Sequence, residues 1–141
     1  MPLLDIKEAV DGADHLFVAV PSKSVRTVVS EALNYLPETA KLLSLTKGID
    51  PETAQLMSEV LQEVADNRSV AVISGPNLAK EIAKGDISAA VIAGRDQLHL
   101  QQLNAILNSP TFKTYTNPDL TGVEYGGALK NIYAIFSGMI T

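Results

Sequence analysis

Five short strand-like runs alternate with helical patterns along this chain, and the alternation is the feature that most constrains its fold. The runs occupy residues 15–20, 41–46, 69–74, 88–93 and 112–116. Most are nearly continuous in apolar residues, as buried parallel strands are, and each is bounded by turn-forming residues. Strands that alternate with helices predict an α/β fold with a largely parallel sheet flanked by helices.

The intervening segments carry helix-start signals. Asp5 with Glu8 predicts a capping box for a short first helix. Ser22, Asn77 and Asp96 are expected to cap later helices, and Pro51 is expected to begin a helix that runs to about Val64. The final helix follows a turn at Asn117-Pro118-Asp119 and extends to the end of the sequence.

Composition excludes several classes of function. The 141 residues carry a net charge of −5, which argues against nucleic-acid binding because phosphate contacts need clustered Lys and Arg. The absence of cysteine excludes disulfides and a thiol nucleophile. His15 and His99 are too far apart in sequence to indicate a metal site, and we predict none. We expect His15 to be packed or at a sheet edge and His99 to face solvent.

No apolar run is long enough to predict a membrane span, and the N-terminus lacks the charged-then-apolar pattern of a signal peptide. The sequence therefore favours a soluble, cytoplasmic protein.

Lys130 is the one charge in the final helix after Glu124. An ammonium group is costly to bury without a partner, and a solvated face would carry several charges. At helical spacing, one side of the helix combines Lys130 with small residues, namely Gly126, Gly127, Ala134, Ser137 and Gly138. The pattern alone fits a ligand-facing lysine and a lysine lying along a packed helix rim equally well.

The other side of this helix is apolar. It carries Leu129, Ile132, Ile135, Phe136, Met139 and Ile140. This spacing predicts a core-facing surface.

Ligands of open parallel sheets bind beyond the carboxyl ends of the strands. Three loops there carry distinctive residues, namely Pro21-Ser22-Lys23, Thr46-Lys47-Gly48 and Ser74-Gly75-Pro76-Asn77. Lys47 suits a phosphate or carboxylate, Gly75 permits close backbone approach, and free amides after Asn77 favour an anion. Each loop alone could be a simple turn or cap. Together with Lys130 they predict a site for an anionic small molecule.

These residues resemble a known family, bacterial NAD(P)-dependent sn-glycerol-3-phosphate dehydrogenase. The matching pieces are 18–22, 46–48, 73–81, 115–119 and 126–131, in the family's order and spacing. The resemblance implies interconversion of sn-glycerol 3-phosphate and dihydroxyacetone phosphate with NAD or NADP, for glycerophospholipid synthesis. Two alternatives stay open: another dehydrogenase of the 6-phosphogluconate dehydrogenase-like superfamily, which the 74–81 stretch disfavours, or a non-catalytic binding or assembly module.

The resemblance also implies a domain division. Residues 1–119 would be a partial dinucleotide-binding Rossmann domain, and residues 120–141 the first helix of a truncated all-α substrate domain. The family's Gly-x-Gly-x-x-Gly fingerprint does not occur in the chain, so we expect the first βαβ unit to be absent and the chain alone to be inactive. The apolar face of the last helix would then be exposed, or would join another copy in a homo-oligomer.

Site residues follow from the resemblance position by position. Lys130 corresponds to the catalytic lysine, which also contacts substrate, and Lys47 to a lysine that contacts both cofactor and substrate. Gly75 and Asn77 fall at substrate-contacting positions, although the family more often has Thr or Ser at the latter. Ala79 and the Pro21-Ser22 pair fall at cofactor-contacting positions. Lys130 would move the hydroxyl proton, with Lys47 as a neighbouring cation.

Overall fold

A computed structural model of the protein describes residues 5–140. Its strands are β1 (His15–Val18), β2 (Lys41–Ser44), β3 (Val70–Ser74), β4 (Ser88–Gly94) and β5 (Phe112–Asn117). Its helices are α1 (Ile6–Val10), α2 (Ser22–Leu33), α3 (Met57–Val64), α4 (Ala79–Lys84), α5 (Gln97–Leu107) and α6 (Leu120–Ile140).

The five strands form one sheet in the order β1-β2-β3-β4-β5. Neighbouring strands are parallel except β3 and β4, which run antiparallel. The predicted α/β fold with a largely parallel sheet is therefore confirmed. β1 and β2 are each two residues shorter than predicted, because the chain leaves the sheet at Val18 and Ser44.

Helices cover both faces of the sheet. On one face, α2 and α3 pack against β1, β2 and β3 through fully buried Val25, Leu42 and Leu61. On the other face, α5 packs through Leu100 and Leu103. Burial on both sides explains why the central strands read as apolar runs rather than as alternating patterns.

Helix α3 begins at Met57, so the predicted start at Pro51 is wrong. Ala54 has a φ of 58°, a left-handed conformation that no α-helix contains. The carboxylate of Asp50 accepts a hydrogen bond from the Glu52 amide at 3.0 Å, which fixes a turn instead.

Two predicted caps are also wrong. Pro21 occupies the N-cap position of α2, with Ser22 as the first helical residue and no side-chain cap bond. Leu78, rather than Asn77, precedes α4. The caps at Asp5 and Asp96 are confirmed, because their carboxylates accept bonds from the Lys7 amide and from the amides of residues 98 and 99.

His99 is fully buried, which contradicts its predicted exposure. Its Nδ1 lies 2.9 Å from Ser69 Oγ, and its ring lies 5.4 Å from that of His15. Burial, and secondarily the nearby His15 charge, lowers the pKa of His99 to about 4. The Asp96 cap sets α5 with this face against the amino-terminal edge of the sheet, which the helical pattern alone did not reveal.

Helix α6 has a docked half and an exposed half. Leu120 is buried against Val72 and Ala93, with Val123 packed beside it. Every side chain from residue 131 to 140 is exposed, including Phe136 at 65%. The apolar side chains of residues 131–140 that were predicted to face a core are therefore exposed. Among residues 5–140, no helix is long and apolar enough to cross a membrane.

Candidate functional site

The three predicted loops meet at one edge of the sheet, because β1, β2 and β3 are parallel and end there. Two hydrogen bonds join them. Thr46 Oγ1 donates to the Val20 carbonyl at 2.8 Å, and Lys47 Nζ donates to the Gly75 carbonyl at 2.9 Å. The loops after β1, β2 and β3 thus form a single surface.

Lys47 and Lys130 share this surface. Partial burial, and secondarily the positive charge of Lys130, lowers the pKa of Lys47. Within residues 5–140, neither lysine has a carboxylate oxygen within 4.0 Å of its Nζ. Two neighbouring ammonium groups repel each other, and because no acid of the described residues pairs with them, they favour an anionic ligand.

Two cavities flank these lysines. One holds about 240 Å³ and is walled by Ser74, Gly75, Pro76, Val91, Gly122, Val123, Gly126, Gly127 and Lys130. The other holds about 190 Å³ and is walled by Leu45, Lys47, Ile73, Ser74, Gly75, Asn77, Ile82 and Phe112. Ser74 and Gly75 separate them, so the end of β3 is the partition of the site. Largely apolar walls with a few polar groups are typical of small-molecule sites.

Two glycines are required by close packing at this partition. A Cβ on Gly127 would lie 2.2 Å from Ser74 Oγ, so a larger residue there would force the Ser74 hydroxyl to rotate away from α6. A Cβ on Gly75 would lie 2.7 Å from the Ala89 carbonyl oxygen, which belongs to the backbone and cannot rotate away. Absent side chains therefore allow the helix that carries Lys130 to contact the end of β3.

Glu124, the last acid of the chain, binds elsewhere than Lys130. Its carboxylate accepts hydrogen bonds from the Ser58 amide at 3.0 Å and from the Ser58 hydroxyl. Burial raises the pKa of Glu124, and the bonds from Ser58 oppose that rise. Sequence reasoning missed this contact.

The structure brings four of the predicted site residues together, namely Lys47, Gly75, Asn77 and Lys130. Pro21, Ser22 and Ala79 lie outside the walls of these two cavities. Pro21 follows Val20, whose carbonyl accepts the hydrogen bond from Thr46. Ala79 is the exposed first residue of α4.

A mostly parallel sheet with a ligand surface beyond its carboxyl edge defines the chain as a Rossmann-type domain of the dehydrogenase class. Residues 2–100 match the family described as NAD-dependent glycerol-3-phosphate dehydrogenase N-terminus, and the chain belongs to that family.

Known relatives agree with this assignment. The chain is 45% identical over 139 residues to the glycerol-3-phosphate dehydrogenase [NAD(P)+] of Pseudomonas fluorescens strain SBW25, covering 98% of this chain and 40% of the relative. It superposes on glycerol-3-phosphate dehydrogenase from Coxiella burnetii with a TM-score of 0.86 at 30% identity, covering 93% of this chain and 40% of the other. It superposes on glycerol-3-phosphate dehydrogenase from Plasmodium falciparum with a TM-score of 0.83 at 30% identity, covering 91% of this chain and 36% of the other. The chain thus spans about 40% of the length of the curated relatives it matches.

Proposed function

We propose that this chain supplies part of the active site of an oxidoreductase that interconverts sn-glycerol 3-phosphate and dihydroxyacetone phosphate. The observation that carries the proposal is the placement of Lys130 and Lys47 at glycine-lined cavities on the carboxyl edge of the sheet, with no carboxylate partner for either among residues 5–140. The family match supports the reaction class, and the two cations support a phosphorylated substrate.

Lys130 is the proposed catalytic residue. In the reducing direction its ammonium group donates a proton to the oxygen of the substrate carbonyl as that oxygen gains charge. In the oxidising direction the neutral amine takes the hydroxyl proton. When bound, the nicotinamide of NAD or NADP supplies or accepts the hydride.

Lys47 is the proposed anion-binding residue. Its Nζ is held by the Gly75 carbonyl, which leaves other ammonium hydrogens for substrate or cofactor phosphate. We propose that Gly75 and Asn77 contact substrate, where the Asn77 amide replaces a hydroxyl donor. Ala79, with the Pro21-Ser22 pair, is proposed to contact the cofactor.

We further propose that residues 1–119 belong to the dinucleotide-binding domain and residues 120–141 to the substrate domain. The exposed apolar side chains of residues 131–140 support assigning the far half of this helix to a domain other than the sheet domain. We also propose that the enzyme acts in the cytoplasm, supplies glycerophospholipid synthesis and assembles as a homo-oligomer through the apolar half of α6.

A hybrid enzyme tests the proposed reaction. In it, the aligned residues of this chain replace the matching segment of the Pseudomonas fluorescens relative. We expect this hybrid to oxidise NADH or NADPH with dihydroxyacetone phosphate, and to lose at least about 100-fold in kcat/KM with unphosphorylated dihydroxyacetone. A folded hybrid with no turnover, or with equal use of both ketones, would contradict the proposal.

The isolated 141-residue chain provides the comparison. Its sequence contains no Gly-x-Gly-x-x-Gly motif to hold a pyrophosphate at a helix start. We expect calorimetry with NADH to show weak or no binding and the purified chain to show no turnover. Substrate-dependent NADH oxidation by the chain alone would overturn that expectation.

A further inference from the structure

Helix α6 is attached to the rest of the domain at three successive turns. Leu120 and Val123 bury a small apolar contact against the sheet. Glu124 follows and binds Ser58 on α3, and Gly127 packs against Ser74 one turn later. Lys130 lies one further turn along, at the wall of the 240 Å³ cavity.

The first of these attachments provides little area. Leu120 is the one buried side chain of α6 within the described residues, and all of residues 131–140 are exposed. Gly127 lets α6 lie close to the end of β3, but glycine has no side chain that could add packing contacts. The two hydrogen bonds that Glu124 accepts from Ser58 are therefore the contacts that set the orientation of α6.

The chemistry of this contact is specific. Ser58 is the second residue of α3, so its amide is one of the free donors at a helix N-terminus, where a carboxylate is favoured. Glu124 binds that amide and the Ser58 hydroxyl together. A bidentate contact fixes rotation of α6 about its axis as well as its distance from α3.

We infer that Glu124 is a positioning residue, which holds α6 on the start of α3 so that Lys130 faces the cavity at the end of β3. The inference rests on the proposed function for its catalytic consequence, whereas its structural consequence is independent of any reaction. An angular error at Glu124 is carried along the rigid helix to the Lys130 side chain.

Three substitutions test the positioning. Glu124→Ala removes both acceptors. Glu124→Gln keeps an oxygen for the Ser58 amide and can donate to the Ser58 hydroxyl. Glu59→Ala is the matched control, because Glu59 accepts from the Leu56 amide at 2.8 Å at the same helix start. Its carboxylate makes no hydrogen bond to α6 in the described residues and repels the Glu124 carboxylate, so its loss should not weaken the α6 contact.

Hydrogen exchange of the 141-residue chain gives the structural readout. We expect Glu124→Ala to speed amide exchange in residues 120–131 by about tenfold or more while β2 and β3 keep wild-type rates. Glu124→Gln should restore most of the protection, and Glu59→Ala should speed exchange at the start of α3 without speeding it in α6. Unchanged exchange in α6, or equally faster exchange in every element of Glu124→Ala, would overturn the inference.

Kinetics of the hybrid enzyme give the functional readout. We expect Glu124→Ala to lower kcat about 10- to 100-fold with cofactor KM changed less than about twofold, and Glu124→Gln to recover most of the loss. Wild-type kcat in Glu124→Ala would overturn the inference. An inactive wild-type hybrid would contradict the proposed function instead, and the exchange result would then decide the positioning by itself.

Discussion

One lysine begins strand β2 and another follows its end, and the two lysines differ in whether an acid lies beside them. Lys41 begins the strand, where its Nζ lies 3.7 Å from an Asp96 carboxylate oxygen and donates to Gln102 at 3.0 Å. Lys47 follows the strand after two residues, where its Nζ binds a backbone carbonyl and has a second cation nearby.

The difference distinguishes a structural edge of the sheet from a functional one. At the amino edge, Lys41 lies beside the carboxylate of Asp96. The His99 ring there contacts Ser69 and His15. At the carboxyl edge, no acid of the described residues pairs with Lys47 or Lys130, and glycines keep space open beside them. The two like charges repel each other, and a bound anion would offset that repulsion.

The largest predicted effect on stability lies at the amino edge. The pKa of His99 is about 4 in the folded chain, below the value near 6.5 expected when unfolded. The unfolded chain therefore takes up the proton first, and the free energy of unfolding falls as pH drops from about 6.5 to about 4. The loss approaches roughly 3 kcal/mol for one proton. Urea unfolding across this pH range measures it.

His99→Asn is the control for this pH effect. Asn has no titrating group and can still bond the Ser69 hydroxyl, so the variant removes this part of the pH dependence. His15, Lys41 and Asp96 also face His99, and their contributions remain in both proteins. Identical pH dependence in the two proteins would show that His99 is not held neutral by the fold.

The second effect compares the two lysines directly. In the hybrid enzyme, Lys47→Met removes an ammonium donor from the proposed anion site. KM for dihydroxyacetone phosphate should rise about 10- to 100-fold, the loss of one charged hydrogen bond. Lys41→Met should leave KM within about twofold, because Lys41 pairs with Asp96 and Gln102 at the opposite edge of the sheet. Equal effects of both substitutions on KM would break the distinction between the edges.

The smallest effect compares adjacent glycines of α6. A Cβ on Gly126 meets nothing within 4 Å, so Gly126→Ala should stabilise the chain by about 0.5–1 kcal/mol through helix propensity. Gly127→Ala gains the same propensity but must displace the Ser74 hydroxyl and press on Ser74 Cβ, so it should be less stable than Gly126→Ala by about 1 kcal/mol. Chemical unfolding of the pair measures the difference. If both alanines stabilise equally, α6 does not lie against β3.

Sequence reasoning reached the sheet and the site loops because both depend on local patterns. Buried runs such as that of β2 mark strands, and parallel strands carry Lys47 and Gly75 to a common edge. The sequence did not predict features that depend on contacts between residues far apart in the chain. The left-handed Ala54 delays α3 by six residues, and His99 faces inward against His15 from another element.

Glu124 shows the same limit within the site. Its sequence neighbours gave no sign that its partner would be Ser58, which is 66 residues away. The roles of Lys47 and Lys130 were predicted only after the family resemblance was added, because spacing alone left Lys130 equally compatible with a packed helix rim.

Turnover of the hybrid enzyme with Lys130→Met tests the central claim most directly. The substitution keeps a similar side-chain length but removes the proton donor and its charge. Lys130→Arg keeps the charge without a group that deprotonates in proteins. If Lys130 moves the substrate proton, both variants should lose about 100-fold or more in kcat with cofactor KM little changed. Near-wild-type kcat in Lys130→Met would contradict the assignment.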